Sequence, residues 1–249
     1  MFLEGFLYKY DKKNNLIAFT NKKHSQLNII LIGGLDHNIL SLPYTSPLLK
    51  FCNDENVRLI IPQFRSHPNY SIHPVDNDIE DLKVLLDTVD GDIILIGNST
   101  GCQDILLYCN EYNNMNIKMC ILQGPVSDTE YEESLGVKYN NQQKDPFLYN
   151  NRIYIEDRFS SLFIRDGKED LFSSYKEDTH YRNLNKNKYD LMFVISKKDE
   201  YIINSIDHKL KLVENSQVYI LEDGDHFLTD KKSQDEFFNL LRSSIKRVI

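Results

Sequence analysis

The sequence has no tryptophan, only 4 cysteines, 10 glycines and 7 prolines in 249 residues, and no concentrated run of lysine or arginine. The missing tryptophan, alongside Asn- and Lys-rich loops, reads as codon bias and carries no functional meaning. The other scarcities do exclude something. Cys52, Cys102, Cys109 and Cys120 form no C-x-x-C pair, and all four lie in or beside apolar segments. Cys102 and Cys109 fall two turns apart on an expected helix, roughly 10 Å, too far for a bridge between them. Reduced core thiols therefore fit better than a disulfide framework or a zinc site. The net charge of −8, with no basic cluster against it, argues against a nucleic-acid surface, which needs cations to neutralise phosphates. The N-terminal MFLEGFLYKYDKK lacks the basic start and apolar run of a signal peptide. No apolar stretch approaches the ~20 residues of a membrane span. The expectation is a soluble, cytoplasmic protein.

What is present is ordinary globular usage, 41% hydrophobic and 27% charged, over a length that suits one α/β domain. Strand-like and helix-like segments alternate. Gly5–Tyr10 and Leu16–Thr20 read as an opening hairpin. Leu27–Ile32, Val57–Ile61, Asp92–Ile96, Lys118–Leu122, Asp190–Ser196 and Gln217–Leu221 read as further strands; LNIILI and DIILI are of the kind buried on both faces. Helices are expected at Ser46–Phe51 with Ser46 as cap, Val75–Val89, Thr100–Tyr112, Ile203–Val213 and Lys232–Arg247. This order implies an α/β fold with a mostly parallel central sheet covered on both faces. Residues 125–188 break the rhythm with a polar, Asn- and Tyr-rich stretch. It is too long for a plain connection, so the reading is one domain over 1–249 with a cap or lid insertion at about 125–188.

The motif that carries chemistry is Gly97-Asn98-Ser99-Thr100-Gly101, a G-x-S-x-G between the strand DIILI and the helix TGCQDILLYC. In a chain this poor in glycine, chance would produce such a match only about three times in a hundred. Its setting is the one a nucleophile elbow requires: a turn so sharp that its middle residue is strained, with glycines where side chains would strike the neighbouring strand and helix. Ser99 is the expected nucleophile, its hydroxyl at a helix N-terminus where the dipole favours negative charge.

A serine needs a base, and the base needs an acid to hold it. In this fold they follow the serine in the order acid, then histidine. Of the histidines after the strand Asp190–Ser196, His208 sits on an expected surface helix. His226 lies in the turn EDGDHF, directly after the last strand, and is the expected base. Asp199, just past the end of the strand DLMFVIS, is the expected acid. Asp128, after the preceding strand, is the alternative, while Glu200 points elsewhere and Asp223 and Asp225 read as turn formers. The oxyanion donors are expected to be the backbone N–H of Thr100 and that of Leu35 in Gly33-Gly34-Leu35-Asp36-His37. His37, His67 and His73 lie in loops that border this region and are read as structural or surface residues.

The octet GNSTGCQD (97–104) resembles the GHSTGCQD of a eukaryotic α/β-hydrolase subfamily that includes fungal siderophore esterases. IGGLDHNILSLPY (32–44), ILQGPVSDTEYEE (121–133), EDLFSS (169–174) and SKKDEYI (196–202) extend the resemblance in order along most of the chain. It implies Ser99, Asp199 and His226 as a triad, an esterase-like activity and no metal. Asn98 departs from the pattern, which has His there, and is expected to affect pocket shape. The cap is shorter and more polar than the pattern, so a siderophore ester is not carried over.

The resulting expectation is hydrolysis of a small-molecule carboxylic ester, with amide and thioester left open, through an acyl-enzyme and without cofactor. The alternative is a catalytically inactive hydrolase fold that serves as a binding or interaction protein. A nucleotide-binding fold using Gly33-Gly34 is disfavoured, because neither G-x-G-x-x-G nor G-x-x-x-x-G-K-[ST] occurs.

Overall fold

The computed structural model describes residues 2–136 and 145–248. Residues 137–144, part of the expected insertion, lie outside the described residues. Strands β1 (Phe6–Asp11) and β2 (Leu16–Thr20) form the opening hairpin. They continue into β3 (Leu27–Ile32), β4 (Arg58–Pro62), β5 (Asp92–Asn98) and β6 (Ile117–Gln123). After the insertion come β9 (Leu191–Ser196) and β10 (Ser216–Leu221). These make one eight-stranded sheet in the order β1-β2-β4-β3-β5-β6-β9-β10. The pairs from β4 to β10 are parallel, and only β1–β2 and β2–β4 are antiparallel.

The apolar runs produce this arrangement because successive side chains of a strand point to opposite faces. Ile30, Ile32, Leu95, Leu122 and Phe193 enter one core layer. That layer is covered by helices α2 (Val75–Leu86) and α3 (Thr100–Glu111). Ile29, Leu31, Ile94, Ile96, Ile121 and Val194 enter the other, under α1 (Thr45–Asp54) and α8 (Lys231–Val248). Every residue of β3 and of β9 is buried, as a doubly covered central strand demands.

Two helices differ from expectation. Ser46 does not cap α1: the helix starts at Thr45, whose hydroxyl donates to Leu42 O at 2.7 Å, with Tyr44 in the cap position. The expected helix Ile203–Val213 shrinks to α7 (Asp207–Leu210). Ile206, Leu210 and Val213 have helical spacing and are buried, but they reach the core from short turns around one helical turn.

Between β6 and β9 lie α4 (Asp128–Ser134), the hairpin β7 (Phe147–Tyr149) and β8 (Arg152–Tyr154), α5 (Glu156–Phe163) and α6 (Asp178–Arg182). The hairpin closes through Asn150 and Asn151, both at positive φ, the two-residue turn whose twist matches antiparallel strands. Phe147, Tyr154, Phe159 and Leu162 form a small core of their own with Tyr70 of the turn before α2.

A buried charge cluster joins this segment to the sheet-covering helices. The Arg158 guanidinium of α5 pairs with Asp78 of α2 at 2.7 Å and with Glu169 at 3.1 Å, and all three side chains are almost fully buried. Burial, with Asp78 nearby, pushes the Asp104 carboxyl of α3 well above the usual carboxylate range, and burial raises Glu169 to about 7.

Candidate active site

Ser99 is the single residue between β5 and α3. Its backbone sits at φ 56 and ψ −127, a conformation a side-chain-bearing residue adopts only when its surroundings impose it. Its N–H donates to Gln123 O at 3.1 Å, and its C=O accepts from Cys102 N at 2.9 Å. A Cβ at Gly97 would lie 2.5 Å from Gly101 O, and one at Gly101 2.5 Å from Ile32 O. Both flanking glycines are therefore dictated by close backbone approach, the steric requirement of an elbow.

Asp199 and His226 come together at the same edge of the sheet, from the loops that follow β9 and β10. The His226 Nδ1–H faces Asp199 Oδ2 at 2.7 Å, with both side chains buried. Asp199 Oδ1 accepts the Tyr201 N–H at 3.0 Å, which fixes the carboxylate's orientation. The Tyr201 ring lies against the imidazole, centroids 4.5 Å apart. The loop is held by its backbone as well: His226 O accepts from Asn98 Nδ2 at 3.2 Å and from Gln123 Nε2 at 3.0 Å. Asn98 Nδ2 also donates to Gln123 Oε1 at 2.6 Å. Asn98 is fully buried, and its side-chain amide is spent on Gln123 and the His226 loop. This tie between the residue before Ser99 and the residue 226 carbonyl was not legible in the sequence. No motif marks a side-chain amide that meets a distant backbone.

The other candidates take different places. Asp128 begins α4 and receives Gln103 Nε2 at 3.4 Å, while Asp199 occupies His226 Nδ1. Burial pushes the Asp128 carboxyl up to about 6, against the pull of the nearby His226. Asp223 is bound to Lys198 and Lys232, and Asp225 accepts the Thr229 N–H, both surface turn roles. His208 is exposed on α7. His67 is buried and stacks on Phe64. His37 does more than border the site: its Nδ1 accepts the Gly34 N–H at 2.9 Å, while His37 N–H donates to Gly34 O at 3.2 Å. Burial lowers its pKa to about 4, so it stays neutral and keeps that acceptor through the physiological range.

The loop that His37 braces passes directly over the elbow. A Cβ at Gly34 would lie 2.7 Å from Ser99 Cβ and 3.2 Å from its Oγ. The two hydrogen bonds inside the loop use the Gly34 and His37 amides and leave that of Leu35 out. Thr100 opens α3, where first-turn amides have no acceptor within the helix. Among the described residues, no group of three or more His, Cys, Asp or Glu side chains is arranged to hold a metal ion. No helix among them is long and apolar enough to cross a membrane.

The sheet order, the elbow and the placement of residues 199 and 226 after β9 and β10 define an α/β-hydrolase fold. Solved structures agree. Siderophore hydrolase EstB from Aspergillus fumigatus superposes with a TM-score of 0.79 at 17% identity, covering 99% of this chain and 98% of its own. Alpha/beta hydrolase domain-containing protein 10 from mouse gives 0.68 at 16% identity, covering 94% and 95%. The Pyrococcus furiosus esterase Pf2001 gives 0.68 at 18%, covering 98% and 91%. The chain belongs to the family described as "Protein of unknown function (DUF1749)", whose model matches residues 2–145. The family match and the fold of the fungal neighbour are consistent with the resemblance carried by GNSTGCQD. No curated protein matches the sequence significantly.

Proposed function

We propose that the protein is a serine hydrolase that cleaves a carboxylic ester, with Ser99 as nucleophile, His226 as base and Asp199 as its orienting acid. The observation that carries this reading is the buried His226–Asp199 pair, whose loop is tied through Asn98 to the strained elbow at Ser99. Hydrolase and esterase relatives of the same fold support the class of reaction.

Ser99 Oγ attacks the carbonyl carbon while its proton passes to His226 Nε2. Asp199 holds the Nδ1–H and stabilises the imidazolium that forms. The carbonyl oxygen becomes an oxyanion held by the Leu35 and Thr100 amides. Collapse of this intermediate breaks the ester C–O bond, and the departing alkoxide takes the proton from Nε2. Water, deprotonated by the same nitrogen, then attacks the acyl-enzyme and releases the acid and free Ser99. No step calls for a cofactor. We read the chain as one catalytic domain, with about 125–188 as a cap over the site.

The test is Ser99→Ala, assayed on p-nitrophenyl esters of different acyl length and by labelling with a fluorophosphonate probe. Turnover and labelling should both vanish while the folded circular-dichroism spectrum persists. Labelling that survives assigns the nucleophile elsewhere. A wild type that neither turns over nor labels is an inactive binding fold.

A further inference from the structure

The loop that bears Leu35 is gripped by the cap. Asp36 sits at φ 60, a left-handed conformation that aspartate tolerates but that leaves the loop dependent on its neighbours. Both of its carboxylate oxygens are taken by Arg152 of β8, Nη1 to Oδ1 and Nη2 to Oδ2, each at 2.6 Å. Arg152 follows directly on the tight Asn150-Asn151 turn, so its backbone position is set by the hairpin. Its guanidinium lies 4.8 Å from the centroid of Tyr70, which fixes the fork's plane from behind. Tyr70 is in turn hydrogen-bonded to the Tyr154 hydroxyl at 2.6 Å, and Ile155 N–H reaches Ser71 O at 3.0 Å. The Leu35 side chain packs on the same cluster of Tyr70, Phe147, Tyr154, Phe159 and Leu162.

Leu35 is thus held from two sides by the cap, through its own side chain and through the residue after it. The Asp36 and Arg152 side chains are 48% and 35% exposed. Pairs that open to water add little to global stability, so the value of this one lies in geometry. We propose that Arg152 is a positioning residue which, through Asp36, aims the Leu35 N–H at the developing oxyanion, so that the cap completes the oxyanion hole. The inference rests on the proposed role of Leu35 in ester hydrolysis. An anion donor displaced by about 1 Å costs on the order of a hundredfold in rate.

The experiment compares Arg152→Met, Arg152→Lys and Asp36→Asn with wild type on a neutral p-nitrophenyl ester, and follows hydrogen–deuterium exchange over residues 33–37. Arg152→Met should lower kcat by roughly 10- to 100-fold with KM changed by less than about threefold, since only transition-state contacts are lost. Arg152→Lys should not restore the rate, because an ammonium cannot make the two parallel bonds. Arg152→Met with Asp36→Asn should be no worse than either alone, the signature of two residues acting as one. Exchange at 33–37 should accelerate in Arg152→Met and in Asp36→Asn. Unchanged exchange overturns the proposal whatever the kinetics. Faster exchange with an unchanged kcat shows the grip to be real but removes Leu35 from the hole, overturning the proposal while Ser99→Ala still tests the hydrolase reading separately. Lysine rescue, or a KM effect alone, makes Arg152 a substrate contact and also overturns it.

Discussion

Replacing Asp199 by asparagine probes the carboxylate–imidazole contact of the candidate site. The side chain has two oxygens with different partners: Oδ1 accepts the Tyr201 N–H at 3.0 Å and Oδ2 faces His226 Nδ1 at 2.7 Å. Asparagine has one oxygen. The Tyr201 amide can only donate, so the amide oxygen stays with it and the NH2 group turns toward Nδ1. An imidazole that accepts at Nδ1 carries its proton on Nε2, and that nitrogen can no longer take a proton from Ser99. The volume is unchanged and the burial the same, so folding is little affected while the wrong tautomer is locked in. A loss of about 10⁴ in kcat is expected, close to 5.5 kcal/mol of barrier. The assay is kcat on a p-nitrophenyl ester together with the second-order rate of fluorophosphonate labelling; both should fall together. Asp128→Asn is the matched control, since that carboxyl meets Gln103 and not the imidazole ring nitrogen. Its kcat should stay within about tenfold of wild type. If Asp199→Asn keeps more than about a tenth of the activity while Asp128→Asn loses it, the argument from the Tyr201 amide is wrong and the acid is residue 128.

Two further outcomes follow from close packing. Gly34→Ala places a methyl 2.7 Å from Ser99 Cβ, so the loop or the serine must shift by about an ångström, and kcat should drop on the order of a hundredfold in steady-state kinetics with the fold kept. Wild-type kcat in the Gly34→Ala protein would mean that the loop lies farther from the elbow. Arg158→Leu leaves Asp78 and Glu169 buried without their cation and should destabilise by about 3–5 kcal/mol, lowering Tm by roughly 10 °C in thermal unfolding. A Tm within about 2 °C of wild type would show that the pair needs no counter-charge from Arg158.

The sheet was readable because its strands are short apolar runs: Leu16–Thr20 and Leu27–Ile32 have the expected ends. Ser99 stood out through glycine spacing, Asp199 and His226 through their positions after strands. What stayed hidden depends on contacts between segments far apart in sequence. The strands of the 147–154 hairpin are three residues long, too few to show alternation, although the Asn150-Asn151 pair that turns it is a recognisable signal. The stretch from Ile203 to Val213 has the apolar spacing of a helix, yet only Asp207–Leu210 is helical and turns carry the rest. Asn98 and Gln123 read as neighbours of a motif and the end of a strand, yet together they anchor the carbonyl of residue 226.

Arg158 bears on how such a chain could be shortened or recombined. Its cation enters from the segment between β6 and β9 and neutralises acids contributed by the scaffold helix α2 and by that segment itself, beside a further acid on α3. Excising residues 125–188 would remove Arg158 together with the cover it brings, baring Asp78 and Asp104 on the helices α2 and α3. In a chain cut back to the sheet and its helices, water would solvate both acids, and a segment borrowed from another relative, by burying them again, would have to bring its own cation to the same spot.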